Sequence, residues 1–389
     1  MSRPLAGPQT LLRTLNGRAI LERLARSGPQ TRAELMAATG LSRTAVTQVL
    51  RMLDAAGAVT AAGVDRDTRG PAAGRVALHP ALGVAAAVHV DHHAAHVVLV
   101  DATGTIRAER HGAFPAGEDR VAHIAALVAA CRRSVKGALH LAVVGVPGIV
   151  ASDGAIRDDQ GPDGGAFRSA LAAALDCPVR VENDVNLAAL AESTTGVGID
   201  LASFALLLLD DDLGAGIVID GALHRGFSGV AGEVMYLPQT PVPIGAPVAG
   251  AAVVRDLALG LGLDVDAPFL AHLEAAQRGD EAAQALVAEI GRRLFLAAGS
   301  VALVLDPEAF ILGGEAVHPA LLDAIERVAD EFAAQLPLRF LASAFGPEAP
   351  LVGAVGEAAS ALRADVFTRI LTPSRAHRHR PLTARQDTP

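Results

Sequence analysis

Twice along this 389-residue chain, apolar strand-like runs pair across a short turn and are followed by a helical stretch and a further apolar strand. In the first round, residues 83–91 and 95–101 lead into a third strand, 121–135 is an amphipathic helix, and 139–148 is a buried strand ending at Pro147-Gly148. In the second, 204–210 and 214–224 are strands, 281–306 is a long helix, and 308–314 is a strand closing on Gly313-Gly314. Strands alternating with helices fold as layered α/β sheets, because each sheet face needs a helical layer to cover it. Two such rounds predict two lobes with a cleft between them. A hydrophobic content of 51% is ample for a core of that size. The glycine pair at 313–314 is what any strand-to-helix turn requires, so alone it says little about function.

Residues 1–80 have a different character. They hold eleven arginines and five acidic residues, a balance of +6. The whole chain carries −9, which leaves −15 for residues 81–389. A basic head on an acidic body is expected where only the head meets a polyanion. In the head, residues 16–28 place Ile20, Leu21 and Leu24 on one helical face, and Gly28 ends the run. Residues 31–40 open with the capping box Thr31-x-x-Glu34 and stop at Gly40. A third helix follows at once, with Ser42 suited to its N-cap and Leu41, Val46, Val49, Leu50 and Leu53 as its buried stripe.

The opposite face of that third helix shows Arg43, Thr44, Thr47, Gln48 and Arg51. Two helices joined at Gly40-Leu41 have the layout of a helix-turn-helix, whose second helix enters the major groove. There Arg and Gln make paired hydrogen bonds to base edges. The strand-like GAVTA, the tip GVDRDTRGPAAG and the returning RVAL then read as a wing, with Arg66, Arg69 and Arg75 suited to phosphates. The predicted DNA-binding set is therefore Ser42, Arg43, Thr44, Thr47, Gln48, Arg51, Arg66 and Arg69. A solvated three-helix bundle also has polar outer faces. Helix count, turn, wing and local charge together favour double-stranded DNA, read as an inverted-repeat operator.

Two cysteines, Cys131 and Cys177, form no CxxC pair, which fits a reducing compartment and leaves no cysteine-built metal site. The start of the chain lacks a charged-then-apolar signal pattern, and the longest uncharged apolar run, 294–305, is too short to span a bilayer. A soluble cytoplasmic protein with no membrane partner is expected.

Chemistry concentrates in VENDVNLAALAE, residues 181–192. Glu182, Asn183, Asp184 and Asn186 fall where an apolar strand gives way to an Ala/Leu-rich helix. Strand ends in α/β proteins open into ligand crevices, and the following helix offers free N–H groups. A carboxylate there is placed to activate a hydroxyl. Asn183 equally suits the helix N-cap.

The order of these motifs resembles the ROK family of sugar kinases and sugar-responsive repressors, from about residue 12 to 365. The specific pieces are ENDVNLAALAE, AGE at 231–233, IDGALHRG at 219–226 and DPEAFILGG at 306–314. The resemblance implies an α/β fold with an N-terminal winged helix-turn-helix (1–80) and a two-lobed actin-like ATPase, ribonuclease H-like body (81–372); the tail at 373–389 is Pro-containing and basic, and disorder is expected there. It also implies ligand contacts at Gly148, Asn183, Asp184 and Glu233, with Asp184 the catalytic base in the kinases, and a homo-oligomer, dimer or tetramer.

Departures from the family pattern are as informative. Family kinases begin the body with Asp-x-Gly-Gly-Thr, where this chain has Asp91-His92-His93-Ala94-Ala95-His96. Their second phosphate loop, Gly-Thr-Gly-x-Gly, corresponds here to Asp210-Asp211-Asp212-Leu213-Gly214. A Gly-His pair and a cysteine run should follow AGE, but Met235-Tyr236 follow instead and no cysteine does, which places Tyr236 at the usual histidine. The expectation is a DNA-binding repressor sensing a sugar or sugar-like effector, with no catalytic residue, cofactor or metal. The rivals are a sugar kinase with an added DNA-binding domain and a ligand-independent DNA-binding or scaffold protein.

Overall fold

The computed structural model describes residues 8–65, 73–115, 119–151, 154–157, 164–239 and 241–371. It begins with α1 (Pro8–Ser27), the two-residue β1 (Gln30–Thr31), α2 (Arg32–Thr39) and α3 (Arg43–Ala55). The capping box forms as expected: Glu34 N–H donates to Thr31 Oγ1 at 3.2 Å and Thr31 N–H donates to Glu34 Oε2 at 2.7 Å. Gly40 takes a left-handed φ of 69° at the α2–α3 turn, and Ser42 Oγ accepts from Ala45 N–H at 3.3 Å. Strands β2 (Val59–Asp65) and β3 (Ala73–Leu78) then pair antiparallel, and β1 adds to β3, an edge that sequence periodicity does not show.

Strands β4 (Val84–Val90), β5 (Ala94–Asp101) and β6 (Ile106–Ala113) form a meander, followed by α4 (Arg120–Arg132) and β7 (Leu139–Val146). The short hairpin β8 (Ile149–Val150) and β9 (Ile156–Arg157) precedes α5 (Gly164–Leu175), β10 (Val179–Asn183) and α6 (Asp184–Thr195). The second lobe comprises β11 (Phe204–Leu209), β12 (Leu213–Ile219), β13 (Ala222–Leu223), α7 (Ala251–Leu261), α8 (Phe269–Gln277), α9 (Glu281–Leu305), β14 (Ala309–Gly314), α10 (Pro319–Phe332) and β15 (Phe340–Ala342), after which α11 (Ala349–Leu371) returns to pack on the first sheet.

The two sheets share one plan. Their orders, β6-β5-β4-β7-β10 and β13-β12-β11-β14-β15, are both a meander whose first strand pairs in parallel with a later strand, which pairs in parallel with the last. The two rounds read from the sequence are these two sheets. One reading needs correction: residues 214–224 are not a single strand. Asp220 and Gly221 both have positive φ, 52° and 72°, and turn β12 back into β13. Asp-Gly with both residues at positive φ is the ordinary two-residue hairpin turn, and that dipeptide is its sequence signal.

Alternation on β4 divides the first lobe's core. Ala85 and Ala87 pack toward α6 and α11, while Val84, Ala86 and Val88 pack with Ile124 and Val128 of α4. The α6–α11 crossing is tight, because a Cβ at Gly353 of α11 would collide with the Leu187 carbonyl of α6. Gly353→Ala is expected to destabilise the chain by about 1–3 kcal/mol, the usual cost of overpacking; urea unfolding of the two proteins checks this. The core that buries Ile20, Leu24, Leu35 and Val46 in the head is continuous with Leu362, Val366 and Phe367 of α11. Gly17 of α1 faces the Leu371 side chain, and Arg363 Nη1 donates to the Ala102 carbonyl at 3.3 Å. So α11 touches α6 along one part and the head along another. No described helix is long and apolar enough to cross a membrane.

Candidate functional site

The β10–α6 junction is built around Asn183. As N-cap of α6, it accepts from Asn186 N–H through Oδ1 at 2.9 Å and donates through Nδ2 to the Gly148 carbonyl at 3.0 Å. Gly148, with φ of 93°, is thereby held beside Asn183, as the sequence reading places it. One side chain thus both caps α6 and ties down the Gly148 turn.

Asp184 follows as the first helical residue and is half-buried. Its Oδ1 accepts from Val185 N–H at 2.8 Å. Burial pushes its carboxyl up to about 7, a backbone hydrogen bond from Val185 works against that, and the charges of Asp210 and Glu233 add to it. Glu233, at the start of a short turn over Val234–Tyr236, is raised by burial and by Asp212. Two carboxyls sharing one field at a helix N-terminus suit a polyol, since each accepts hydroxyl donors when ionised and donates one when protonated. Tyr236 stands at the margin with 51% of its surface exposed. Thus Gly148, Asn183, Asp184 and Glu233 converge, while among the described residues Tyr236 makes no hydrogen bond with Asn183 or Asp184.

Sequence reading passed over Arg225. Its Nε and Nη2 fork onto Glu182 Oε2 at 2.7 and 2.6 Å, and Glu182 Oε1 accepts from Asn183 N–H and Asn186 Nδ2 at 3.1 and 2.9 Å. The pair joins the two lobes at the foot of the site. An arginine within IDGALHRG beside a motif carboxylate was the available signal.

The positions of the two phosphate loops are closed by protein groups. Asp91 Oδ1 accepts from the N–H groups of His93 and Ala94, both at 2.6 Å, so that hairpin turn keeps its own donors. In the other loop, Asp210 N–H donates to the Asp212 carbonyl at 3.0 Å, and the first N–H of α7 donates to the Asp211 carbonyl at 2.8 Å. Burial, then Asp211 and Asp91, raise Asp210; burial, then Asp210 and Asp211, push Glu315 up to about 7. Asp210, Asp211 and Glu315 of the second lobe, with Asp91 of the first, are close enough to act on one another's charge, and such a group opposes an anion. At 4 Å a unit-charge repulsion is roughly 1 kcal/mol in water and several times that in a drier cleft. Gly314 at the end of β14 has a packing reason for lacking a side chain, because a Cβ would strike the Leu209 carbonyl.

The segment after AGE is held by the protein itself. Val248 N–H donates to the Met235 carbonyl at 2.9 Å, Arg293 Nη1 donates to the Val248 carbonyl at 3.2 Å, and Gln239 Nε2 donates to the Arg293 carbonyl at 2.9 Å. Val234, Val248 and Ala249 are buried beneath it. Among the described residues no group of three or more His, Cys, Asp or Glu side chains is placed to hold a metal ion.

On the head, α3 presents Arg43, Thr44, Gln48 and Arg51 to solvent. Ser42 is occupied as the N-cap, and Thr47, half-buried, donates its hydroxyl to the Arg43 carbonyl at 2.8 Å. Arg75 lies 3.7 Å from Glu34. Arg66, Arg69 and the 373–389 tail lie outside the described residues.

Residues 85–245 match the ROK family. The DNA-binding transcriptional dual regulator NagC of Escherichia coli K12 is 23% identical over 350 residues, covering 82% of this chain and 86% of that protein. A glucokinase of Halalkalibacterium halodurans is 31% identical over 161 residues, 35% of this chain and 48% of that protein. The chain spans about half or less of several curated relatives it matches. Among solved structures, a ROK family transcriptional regulator, homolog of E. coli MLC, superposes with a TM-score of 0.72 at 21% identity, covering 92% of this chain and 99% of that one. A ROK glucokinase from Streptomyces griseus, solved with glucose and AMPPNP, gives 0.60 at 26% identity over 72% of this chain and 100% of that one. The body therefore has the α/β fold common to ROK regulators and ROK sugar kinases.

Proposed function

We propose, for a chain whose residues 85–245 form a ROK family domain, a DNA-binding transcriptional repressor whose two-lobed body senses a sugar or sugar-like polyol without phosphorylating it. One observation carries this reading: Asn183, Asp184 and Glu233 remain gathered for hydroxyl groups, whereas Asp91 consumes the backbone donors of the first phosphate turn. The winged helix-turn-helix reading of the head rests on α2, the left-handed Gly40 and the polar outer face of α3. Relatives named NagC and xylose repressor support it.

A route from site to head exists in the packing. The sugar-facing residues sit at the N-terminus of α6, α6 packs on α11, and α11 carries the contacts with α1. Lobe closure on a ligand shifts α6 and so bears on the head. In a dimer, that shift resets the spacing of two recognition helices on an inverted repeat. For a tenfold effect on DNA affinity, the ligand needs about 1.4 kcal/mol of preference for the DNA-incompetent form.

The rival sugar kinase makes an opposite prediction. Purified protein with ATP, Mg²⁺ and a sugar panel is expected to release no sugar-dependent ADP in a coupled assay. Release that disappears in Asp184→Asn would replace the sensor with a kinase.

A further inference from the structure

A second concavity lies beside β10, the edge strand of the first sheet, with a volume of about 320 Å³. Its walls carry three arginines, Arg168 from α5, Arg180 from β10 and Arg225, and two carboxylates, Glu182 and Glu357. The lining is thus net positive within a body that is strongly acidic overall. In this respect it is the reverse of the cleft formed by Asp91, Asp184, Asp210 and Glu233.

The three guanidiniums are in different states. Arg225 is forked onto Glu182. Arg180 is exposed on its strand. Arg168 is the unusual one, because its Nε is buried and has no hydrogen-bond partner. It lies against the β8–β9 turn at Gly154, where a Cβ would come within 3.1 Å of the arginine Cδ. An Nε donor buried without an acceptor is uncommon in a native protein, even where, as here, the rest of the side chain is half-exposed. Native structures keep such a group where something else satisfies it. The guanidinium fork matches a carboxylate or a phosphate. Glu357, with no ion pair among the described residues, accepts from hydroxyls. The volume is at the lower end for small-molecule sites, about 300–1,000 Å³.

We propose that this cavity is a second ligand site, adjoining the sugar cleft at Glu182 and Arg225 but lined by none of Asn183, Asp184 and Glu233, which takes a small hydroxylated oxyanion, either a carboxylate or a phosphate ester. Arg168 and Arg180 hold the anionic group and Glu357 receives a hydroxyl. Occupation bears on the head because Glu357 belongs to α11, which carries Arg363, Val366 and Phe367 against the α1 side. The binding claim stands apart from the DNA reading; only this regulatory consequence rests on it.

The test is calorimetric titration of the full chain with glycerate, glycerol 3-phosphate and inorganic phosphate. None of the three is a sugar, and the arms separate carboxylate from phosphate recognition. Saturable binding of glycerate or glycerol 3-phosphate is expected. Arg168→Gln should weaken it at least about tenfold, and Arg180→Gln should weaken it less, while Asp184→Ala leaves it unchanged. Thermal melts confirm folding of each variant, and Arg168→Gln is not expected to melt earlier, since it removes an unmatched charge. No heat from any probe at millimolar concentration, or heat that survives both arginine variants, overturns the proposal. Loss of binding in Asp184→Ala moves the site to the sugar cleft and overturns it equally. A bound oxyanion that leaves DNA affinity unchanged removes the regulatory consequence, and no change in DNA binding by any variant speaks against the head instead.

Discussion

Asp184→Asn is expected to make the protein more stable at pH 8 while changing it little at pH 4. The folded carboxyl ionises near 7 against 3.8 in the unfolded chain, so between those values the folded state holds the extra proton. Stability then falls as pH rises from about 4 to about 7 and stays at the lower level above. A shift of three units corresponds to roughly 4 kcal/mol. Water reaching this half-buried group reduces the effect to about 1–3 kcal/mol. Asparagine keeps the shape and removes the charge. Urea melts at pH 4, 6 and 8 should show the variant gaining on the parent at each step; parallel curves would contradict the assigned burial. Glu315, also near 7, leaves a residual slope of the same sign in the variant. A polyol that donates hydroxyls to ionised Asp184 should bind more tightly above pH 7.

The other large effect concerns DNA. Arg43 and Gln48 stand exposed on α3, five positions apart, and both are able to read base edges in pairs of hydrogen bonds. Each such pair contributes about 1–3 kcal/mol of base discrimination, so Arg43→Ala with Gln48→Ala should reduce preference for the operator over random DNA by roughly 30-fold or more. Affinity for random DNA should change far less. Arg69→Ala should act in the opposite sense, weakening all DNA alike and reducing the salt slope by about one. Footprinting and competition at fixed salt distinguish these patterns. Equal loss on both kinds of DNA in the double variant would remove α3 as the reading helix.

How much of this was legible in the chain varies by element. The two β-rich rounds, the Thr31–Glu34 box and the Asn183 cap are local patterns, and local patterns survive into structure. The Asp220-Gly221 turn was legible as an Asp-Gly dipeptide between apolar runs, although the stretch reads at first as one strand. Helix α11 showed no stripe because it is buried on several sides, through Ala354, Ala358, Ala359, Ala361 and Leu362. Its role in joining head to body depends on packing across the fold. The Arg225–Glu182 fork spans 43 positions, and the Arg168 cavity depends on a glycine in a turn fourteen residues earlier. Neither distance has a sequence period.

The most direct measurement is fluorescence anisotropy of an operator duplex selected with the protein, titrated with a panel of sugars and sugar phosphates. At least one member should release the DNA. Asp184→Ala and Glu233→Ala should bind the free operator as tightly as the parent yet ignore that sugar. Calorimetry should show its heat lost in the same two variants. A panel that leaves the operator bound and produces no heat contradicts a sugar-sensing body, and a ligand-independent DNA-binding protein takes its place.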